Sequence, residues 1–425
     1  MKNSGLCTAL LLVCAVPLAA QVETAFHGSV ETIQAVPVSS RRSLTDSRTA
    51  FTGELLVFAG QASAFVSLSA EYNGVSPERT DFSLGEAWLD WGRGDFSVRL
   101  GRQFLSWGAA AGLILTDVVC PQNLSAYAGL DFTGSRLAVD GLKLRYSFPV
   151  LAVEAVWLPL FTPARLPGSQ NPLYDLFYPS SINTNPPMIL NYSPDSPPRT
   201  IADGEYGLRV SCYTGALDFS FMGFYGWNDI PYLDKELFFV SGLPGLQITP
   251  AYGRTVTAGA DARIPLGEFL LKLEAAWTGG GRYERPAGDT VRVLMAGQRE
   301  SPLERHNLKL LAGLDWNPSG WTVSAQYYGD LLPGGSGVER SWWKNALTLR
   351  LARGLFRETL TLSFWCFLDL KDFDSAGSVS AAYALTDSLS FSLGSDFFTG
   401  GIDGRGNYAA YKDLSCIWFR GILRF

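Results

Sequence analysis

The chain has little charge, few methionines and histidines, and no long apolar run. Only 17% of its 425 residues are charged, whereas ordinary soluble domains contain about a quarter. Past residue 20, no segment approaches the ~18 uninterrupted apolar residues that a membrane helix needs; the longest candidate, 150–160, is interrupted by Glu154. Abundant aromatics beside only 4 Met and 2 His favour half-buried strands over helices. If this chain enters a membrane, it must cross with strands.

Cysteine usage argues against a disulfide framework or a metal site. Cys7 and Cys14 lie in the leader described below, and the other four are far apart with no paired spacing: Cys120, Cys212, Cys366 and Cys416. The formal net charge of −6 argues against a nucleic-acid partner. We therefore predict no metal, no cofactor and no nucleic-acid binding.

Histidine is also too scarce for most hydrolases. Only His27 and His306 are present, so a Ser–His or Asp–His catalytic pair would have to use one of them. No nucleophile signature, phosphate-binding loop or redox cysteine pair accompanies either histidine. We expect no enzymatic activity.

Residues 1–20 have the pattern of a secretory signal peptide. Lys2 supplies the positive start, an apolar core follows from Thr8 to Val16, and small residues precede a polar run after Ala20. We predict cleavage after Ala20; lipid attachment at Cys14 is the alternative. Removing this segment takes away one lysine and no acid, which changes the net charge from −6 to −7.

The last thirteen residues, 413–425, predict a strand with one apolar face. That face carries Ile417, Phe419, Gly421, Leu423 and the terminal Phe425. A terminal Phe behind such an alternation resembles the signal that the bacterial barrel assembly machinery recognises. We therefore expect the last strand to face outer-membrane lipid and Phe425 to engage that machinery; the alternative is an edge strand of a soluble sheet.

Alternating segments of about ten residues recur along the chain, which is typical of strands that cross a bilayer at a tilt. There are eighteen: 26–37, 46–59, 62–73, 81–91, 95–104, 136–147, 150–160, 204–213, 216–227, 252–264, 268–277, 306–316, 321–328, 341–352, 357–368, 375–384, 389–397 and 413–425. Short turns alternate with longer links, as in outer-membrane barrels. The sequence predicts an all-β, up-and-down antiparallel transmembrane barrel over residues 21–425, with about 18 strands (16 as the alternative), long outer loops and short periplasmic turns.

Charged residues fall on the face opposite the apolar one. A Lys or Arg on the lipid face at mid-depth costs about 2–4 kcal/mol. The charged face must therefore line a water-filled interior. The predicted pore-lining residues are Glu86, Asp90, Arg99, Gln103, Lys143, Arg145, Glu154, Asp261, Arg263, Lys272, Glu274, Lys309 and Asp315. Opposite charges on neighbouring strands can pair along this wall. They either form a polar constriction that selects solutes or only stabilise the barrel, and the sequence leaves both possibilities open.

Tryptophans cluster near predicted strand ends, as in the aromatic girdles of membrane proteins. Trp91, Trp316 and Trp321 fall near periplasmic ends. The outer group is Trp107, Trp157, Trp227, Trp277, Trp342 and Trp343. Trp88 and Trp418 lie further along their strands and fit this pattern less well.

A stretch near residue 100 carries the most distinctive motifs. It contains Glu86-Ala87-Trp88-Leu89-Asp90, Gly101-Arg102-Gln103, Trp107-Gly108 and Thr116-Asp117-Val118-Val119-Cys120-Pro121. Over about a hundred residues it resembles a mostly uncharacterised family of porin-like bacterial outer-membrane proteins, related in appearance to alginate-export-type porins. Cys120 stands where that family usually has Asn, and the acidic chain does not suit an alginate substrate.

Two long links are candidates to narrow the pore. The link 161–203 is stiffened by nine prolines, and the link 105–135 contains Leu113-Ile114-Leu115. We hypothesise that both fold inward; the alternative is an exposed outer loop that meets a partner. The predicted function is an outer-membrane porin or channel for small hydrophilic or amphipathic solutes. The alternatives are a substrate-specific transporter for a hydrophobic compound or a saccharide, and a surface adhesin on a barrel base.

Overall fold

A computed structural model describes most of the chain. The described residues are 22–38, 44–108, 112–113, 115–125, 136–171, 173–174, 189–192, 197–402, 406 and 408–425. The predicted signal peptide, 1–20, and its cleavage position lie outside the described residues and remain predictions.

Eighteen antiparallel strands form one closed barrel. Strands are numbered β1 to β21 in chain order, and those of the barrel are β1 Val22–Pro37, β2 Asp46–Ala59, β3 Ala62–Asn73, β4 Asp81–Arg93, β5 Phe96–Gln103, β6 Val139–Ser147, β7 Leu151–Leu158, β9 Glu205–Tyr213, β10 Asp218–Trp227, β13 Arg254–Leu266, β14 Phe269–Tyr283, β15 Leu303–Trp316, β16 Trp321–Leu331, β17 Trp343–Leu355, β18 Leu360–Asp369, β19 Ser375–Ala384, β20 Leu389–Thr399 and β21 Cys416–Arg424. Each of the eighteen predicted segments overlaps one of these strands. The all-β barrel and its strand number are therefore confirmed.

Some boundaries were wrong. The last strand begins at Cys416 rather than 413, because a 3₁₀ helix occupies Ala409–Leu414. Strand β14 continues to Tyr283, six residues beyond the predicted end at 277. A bulge between Thr278 and Gly281 shifts its register there, which hides the continuation from a strict two-residue alternation.

The first and last strands close the barrel by pairing with each other. Their register runs from Ser29 opposite Arg424 to Pro37 opposite Cys416. The backbone of Phe425 continues this ladder with two hydrogen bonds to Gly28, at 2.9 and 2.8 Å. A Cβ atom at Gly28 would lie 2.3 Å from the Phe425 ring, so glycine leaves room for the terminal side chain.

The two ends of the barrel differ in the length of their connections. At one end, here called the turn end, consecutive strands are joined by short turns such as 60–61 and 267–268, where Gly60 and Gly267 adopt φ of 62° and 64°. At the other, here called the loop end, long links such as 104–138 and 159–204 connect the strands. This is the predicted asymmetry of outer-membrane barrels.

Each barrel strand presents one apolar face and one polar face. The outward side chains are largely exposed and apolar, as for Leu100 (58%), Phe221 (60%) and Leu393 (59%). Trp91 and Trp316 near the turn end and Trp277 toward the loop end also lie outward and are exposed. An apolar outer surface of this kind is the surface that hydrocarbon can solvate.

Trp88 and Trp418, the two that did not fit the girdles, point inward instead. The Trp88 ring stacks on Phe65 at 5.4 Å, and the Trp418 indole N–H donates to Asp396 at 2.9 Å. Both side chains belong to the polar inner face, which explains why they do not fit the girdle pattern.

A small three-stranded sheet lies outside the barrel at the loop end. It consists of β8 Ile189–Tyr192, β11 Tyr232–Val240 and β12 Leu243–Ala251, and a helix, α1, spans Ala287–Met295. Leu246 and Ile248 of β12 pack against Leu294 of α1. These elements lie within the links that the sequence analysis left as loops, so that prediction was wrong there. No helix among the described residues is long and apolar enough to cross a membrane.

Candidate functional site in the barrel lumen

Ion pairs between strands run along the inner face of the barrel. Asp90 and Arg99 lie directly opposite each other on β4 and β5, with a 2.8 Å contact between Oδ2 and Nε. On the far part of the wall, Arg209 of β9 reaches Asp261 of β13 at 3.0 Å. Arg99 also stacks on the Trp88 ring at 3.8 Å. The wall therefore carries paired charges, as expected for opposite charges on neighbouring strands.

All thirteen predicted pore-lining residues lie on this inner face, where they fall into three groups. Wall ion pairs contain Asp90, Arg99, Asp261, Lys272 and Asp315. Residues that hold a loop segment by hydrogen bonds are Glu86, Glu154, Arg263 and Glu274. The remaining four are Gln103, Lys143, Arg145 and Lys309.

The described residues of the stretch that follows β5, which are 104–108, 112–113 and 115–125, fold into the lumen; we call them the inward segment. Four hydrogen bonds with three separate strands fix it. The Trp107 indole N–H donates to Glu154 of β7 at 2.7 Å, and Arg263 of β13 donates to the Gly108 carbonyl at 2.8 Å. Both the backbone N–H and the hydroxyl of Thr116 donate to one carboxylate oxygen of Glu274 on β14, each at 2.8 Å. The segment thus crosses the inner wall from β5 to β14.

Apolar contacts support the same placement. Leu115 is 1% exposed and packs against Ala276 and Leu311 of the wall. Trp107 is 3% exposed in a second cluster, with Val156 and Phe224. Full burial of a leucine side chain contributes about 1.5–3 kcal/mol, so these contacts add substantially to the hydrogen bonds.

Two wall glycines make room for the inward segment. A Cβ atom at Gly207 would lie 2.6 Å from the Trp107 ring, and one at Gly259 would lie 2.5 Å from the Thr116 methyl group. Both distances are shorter than any real Cβ contact, so larger residues at these positions would displace the segment. The wall is shaped to receive Trp107 and Thr116.

An internal brace shapes the inward segment itself. Asp117 accepts hydrogen bonds from the Trp107 backbone at 2.9 Å and from Arg136 at 2.7 Å. Arg136 also donates to the Cys120 carbonyl at 2.7 Å, and the Cys120 sulfur accepts from the Leu105 backbone at 3.2 Å. Burial raises the pKa of the Asp117 carboxyl, and it raises the pKa of the Cys120 thiol to about 12. Cys120 is therefore a packed structural residue in this brace.

The described start of the second long link also lies inside the barrel. Arg165 forms a parallel bridge with Asn123 of the inward segment, and Asn171 donates to the Ser125 carbonyl at 2.8 Å. Beyond that contact, Leu173 packs against Ile33 on β1, at the opposite wall. The two links together span the lumen from one wall to the other, as the inward-folding hypothesis predicts for their described residues. The rest of 161–203 lies mostly outside the described residues.

Several of the predicted pore-lining residues are buried, and Trp107 does not lie where the sequence analysis placed it. Gln103 is fully buried, and its side-chain amide donates to the Gly141 carbonyl at 3.0 Å. Lys272 and Glu274 are likewise only 6% and 4% exposed. Trp107 is not part of an aromatic girdle, because the chain turns inward immediately after β5. Pore lining by the thirteen residues stays a prediction.

Sequence reasoning missed the anchoring role of Asp117 and the wall cation Arg209. Asp117 falls in a motif that the family resemblance singled out, and this was the only signal available for it. Arg209 alternates correctly on β9, but its partner Asp261 is 52 residues away in sequence.

Both histidines lie on barrel strands, His27 on β1 and His306 on β15. His306 stacks on Trp277 with ring centroids 5.5 Å apart, on the outward face of the barrel. His27 lies on β1 beside Glu54 of β2. In the part of the chain that the structure describes, no group of three or more His, Cys, Asp or Glu side chains is placed to hold a metal ion.

Comparison with known proteins places this fold among porin barrels. No protein-family model matches the chain. No curated protein matches it by sequence. Among solved structures it is similar to Pseudomonas aeruginosa OccK3 (OpdO), with 11% identity over 95% of each chain and a TM-score of 0.53. Pseudomonas aeruginosa OccK8 (OprE) gives 11% identity over 95% of this chain and 98% of that chain, with a TM-score of 0.53.

A third neighbour is Acinetobacter baumannii OccAB4, with 10% identity over 96% of this chain and 99% of that chain, and a TM-score of 0.51. These neighbours are outer-membrane porins. At such low identity the likeness shows the fold alone. The resemblance to alginate-export-type porins stays a prediction. The chain therefore has the fold of an 18-stranded outer-membrane porin.

Proposed function

We propose that this protein is a bacterial outer-membrane channel that passes small hydrophilic or amphipathic solutes through its lumen. The observation that carries the proposal is the inward segment, held at Glu154, Arg263 and Glu274 on three strands of the wall. A segment anchored by this many contacts narrows a wide barrel to a cross-section that can discriminate among solutes. A barrel of about 16 to 18 strands is otherwise wide enough for an open aqueous channel.

The opposite wall supports passage of water and polar solutes. On β17 to β20, inward positions toward the turn end carry Arg350, Ser363, Ser380 and Ser392, none of which is buried. Hydroxyl and guanidinium groups can replace part of the hydration shell of a passing solute. The path that we propose runs between this wall and the inward segment.

The outer surface supports the membrane location. Its exposed apolar side chains would be costly in water and are stabilised by hydrocarbon. Outer-membrane lipid is therefore the proposed partner of this surface, and the barrel assembly machinery is the proposed partner of the last strand and Phe425.

Planar-bilayer recording of the purified protein tests the proposal. We expect stepwise single-channel currents in KCl, together with swelling of proteoliposomes in solutions of small sugars or amino acids. Swelling should decline as the solute grows, because the inward segment limits the cross-section. A folded, heat-modifiable barrel that gives neither current nor swelling would overturn the channel function.

Surface adhesion is the alternative that the outer sheet favours. Phe239 and Leu243 flank the β11–β12 turn and are 69% and 53% exposed. An exposed apolar tip of this kind can meet a partner outside the cell. Deleting residues 233–250 would leave the channel currents intact under the channel proposal, whereas cell-surface attachment that depends on this tip would be lost.

A further inference from the structure

A groove of about 690 Å³ crosses the outward, lipid-facing side of the barrel between β17 and β21. One row of paired residues follows it across four strands: Arg353, Leu362, Ala381 and Leu393. Ala381 is smaller than the leucines on either side of it, so the outer surface is depressed there. At about 30 Å³ for a group the size of a water molecule, the groove has room for roughly twenty such groups, which is the scale of one long alkyl chain.

The groove rises from the turn end of the barrel into the region that hydrocarbon surrounds. Arg353 lies two residues before β17 ends at Leu355, next to the short turn that leads to β18. Ile417, at the other end of the groove, is the second residue of β21 and lies at the loop end of that strand. A ligand that follows the groove therefore has one end at the membrane surface and its body in the membrane interior.

Arg353 places a cation at the membrane-surface end of the groove. Its side chain is exposed, and its guanidinium carbon lies 4.7 Å from the centre of the Trp321 ring. Tryptophan rings in such positions settle at the level of the lipid headgroups. The ring covers only one face of the guanidinium group, so the N–H donors at its edge can still reach a phosphate. Within the described part of the chain, Arg353 forms no ion pair with a carboxylate.

A second groove on the outward side shows what the cation adds. It has a volume of about 600 Å³ and is lined by small and apolar residues such as Phe221, Ala260 and Leu273. The described residues that line it include no lysine or arginine. Both grooves therefore offer an apolar surface to lipid, and Arg353 distinguishes the first by its positive charge.

We propose that the first groove binds one phospholipid from the membrane leaflet at the turn end. Its phosphate lies on Arg353 beside Trp321, and one acyl chain follows the depression at Ala381. The guanidinium group suits this role, because its planar set of donors can bind two phosphate oxygens at once. The inference rests on the outer-membrane location of the barrel and is independent of the channel function.

Native mass spectrometry of the folded barrel tests this site. The protein is released from detergent micelles that contain increasing amounts of palmitoyl-oleoyl-phosphatidylglycerol, and lipid adducts are counted. We expect one adduct that saturates, and none with the diacylglycerol that carries the same chains but no phosphate. Arg353→Gln should raise the lipid concentration for half saturation about tenfold or more, because hydrogen bonds between charged groups are lost. Ala381→Phe should abolish the adduct by filling the groove while Arg353 remains.

Each variant has a matched control. Arg93 lies at the turn end of β4, where it is also exposed but does not line the groove, so Arg93→Gln removes the same charge at the same end of the barrel. Ala260→Phe makes the same change in size in the second groove. Both controls should bind the lipid like the unmodified protein, and unheated gel mobility shows that each barrel is folded.

Several outcomes would overturn the phospholipid site. Equal binding by the unmodified protein and Arg353→Gln would remove the role of the cation, and equal weakening by Arg93→Gln would show a general effect of surface charge. An equal adduct with diacylglycerol would show apolar binding without recognition of phosphate. Oligomers without lipid that Ala381→Phe dissociates would assign the groove to a second copy of the chain. If Ala381→Phe does not assemble, the comparison of Arg353→Gln with Arg93→Gln still decides.

Discussion

Loosening the inward segment at its Glu274 anchor gives the sharpest prediction. Glu274→Ala removes the acceptor of both Thr116 hydrogen bonds, each 2.8 Å long, from a site where the carboxylate is only 4% exposed. The backbone N–H and the hydroxyl of Thr116 then lose their partner. The segment should leave the wall more often, and the channel should fluctuate between its usual current and a larger one.

The size of the effect follows from the contacts. Two hydrogen bonds to a charged acceptor contribute about 1.5–3 kcal/mol each, and relief of the buried carboxylate offsets part of this. A net loss of about 2–4 kcal/mol raises the population of the undocked segment roughly 30- to 700-fold, at tenfold per 1.4 kcal/mol. Leu115 and the Trp107–Glu154 bond remain, so the segment should stay docked most of the time. We therefore expect frequent brief openings rather than a permanently wider pore.

Single-channel recording at high bandwidth measures this directly. Glu274→Gln keeps a neutral acceptor and should give an intermediate frequency of large openings. Asp315→Asn is the matched control. This substitution removes the same charge from the neighbouring strand, β15, where Asp315 pairs with Lys272 at 2.7 Å. That control should keep the docked current. Unheated gel mobility of each variant shows whether the barrel is folded.

The reasoning would be refuted if Glu274→Ala gave the same current amplitude and noise as Asp315→Asn in a folded barrel. In that case the Thr116 contacts would not hold the segment in the membrane, and the account of the narrowed lumen would be wrong.

Three further predictions concern other parts of the molecule. In a variant whose only cysteine is Cys120, a water-soluble thiol reagent at pH 8 should label the unfolded but not the folded chain, because a pKa of about 12 keeps the thiol protonated; labelling of the folded barrel would contradict its burial. Phe425→Ala should lower the yield of heat-modifiable barrel in cells, since it removes the ring that packs against Gly28; an unchanged yield would argue against the terminal signal. Arg99→Ala should shift the reversal potential in a KCl gradient toward cation selectivity, because Asp90 loses its partner; unchanged selectivity and conductance would mean that this pair only stabilises the wall.

Features that repeat within one strand were predictable from the sequence. Alternation on β13, with Val256, Ala258 and Ala260 opposite Thr257 and Asp261, identifies both the strand and its two faces. The cost of placing a charge in hydrocarbon also determines which residues can face lipid. The inner-face placement of Lys272 and Asp315 follows from this rule alone.

Features that depend on contacts between distant residues were not predictable. Thr116 and Glu274 are 158 residues apart, and nothing local to either position specifies the other. Trp107 is an aromatic residue close to a predicted strand end, as girdle residues are. Only the inward turn of the chain after β5 places it in the lumen. The outer hairpin was missed because its strands lie in a long link, although Ser241-Gly242 at its centre is a recognisable turn signal.

One measurement tests the central claim that the lumen is wet and conducting while the outer surface faces lipid. In a cysteine-free background, Ser392→Cys on the inner face and Leu393→Cys on the outer face of β20 are compared by adding a charged, membrane-impermeant methanethiosulfonate reagent during single-channel recording. The account predicts an irreversible stepwise fall in current for Ser392→Cys and no change for Leu393→Cys. A fall with Leu393→Cys, or no change with either variant in a conducting channel, would contradict it.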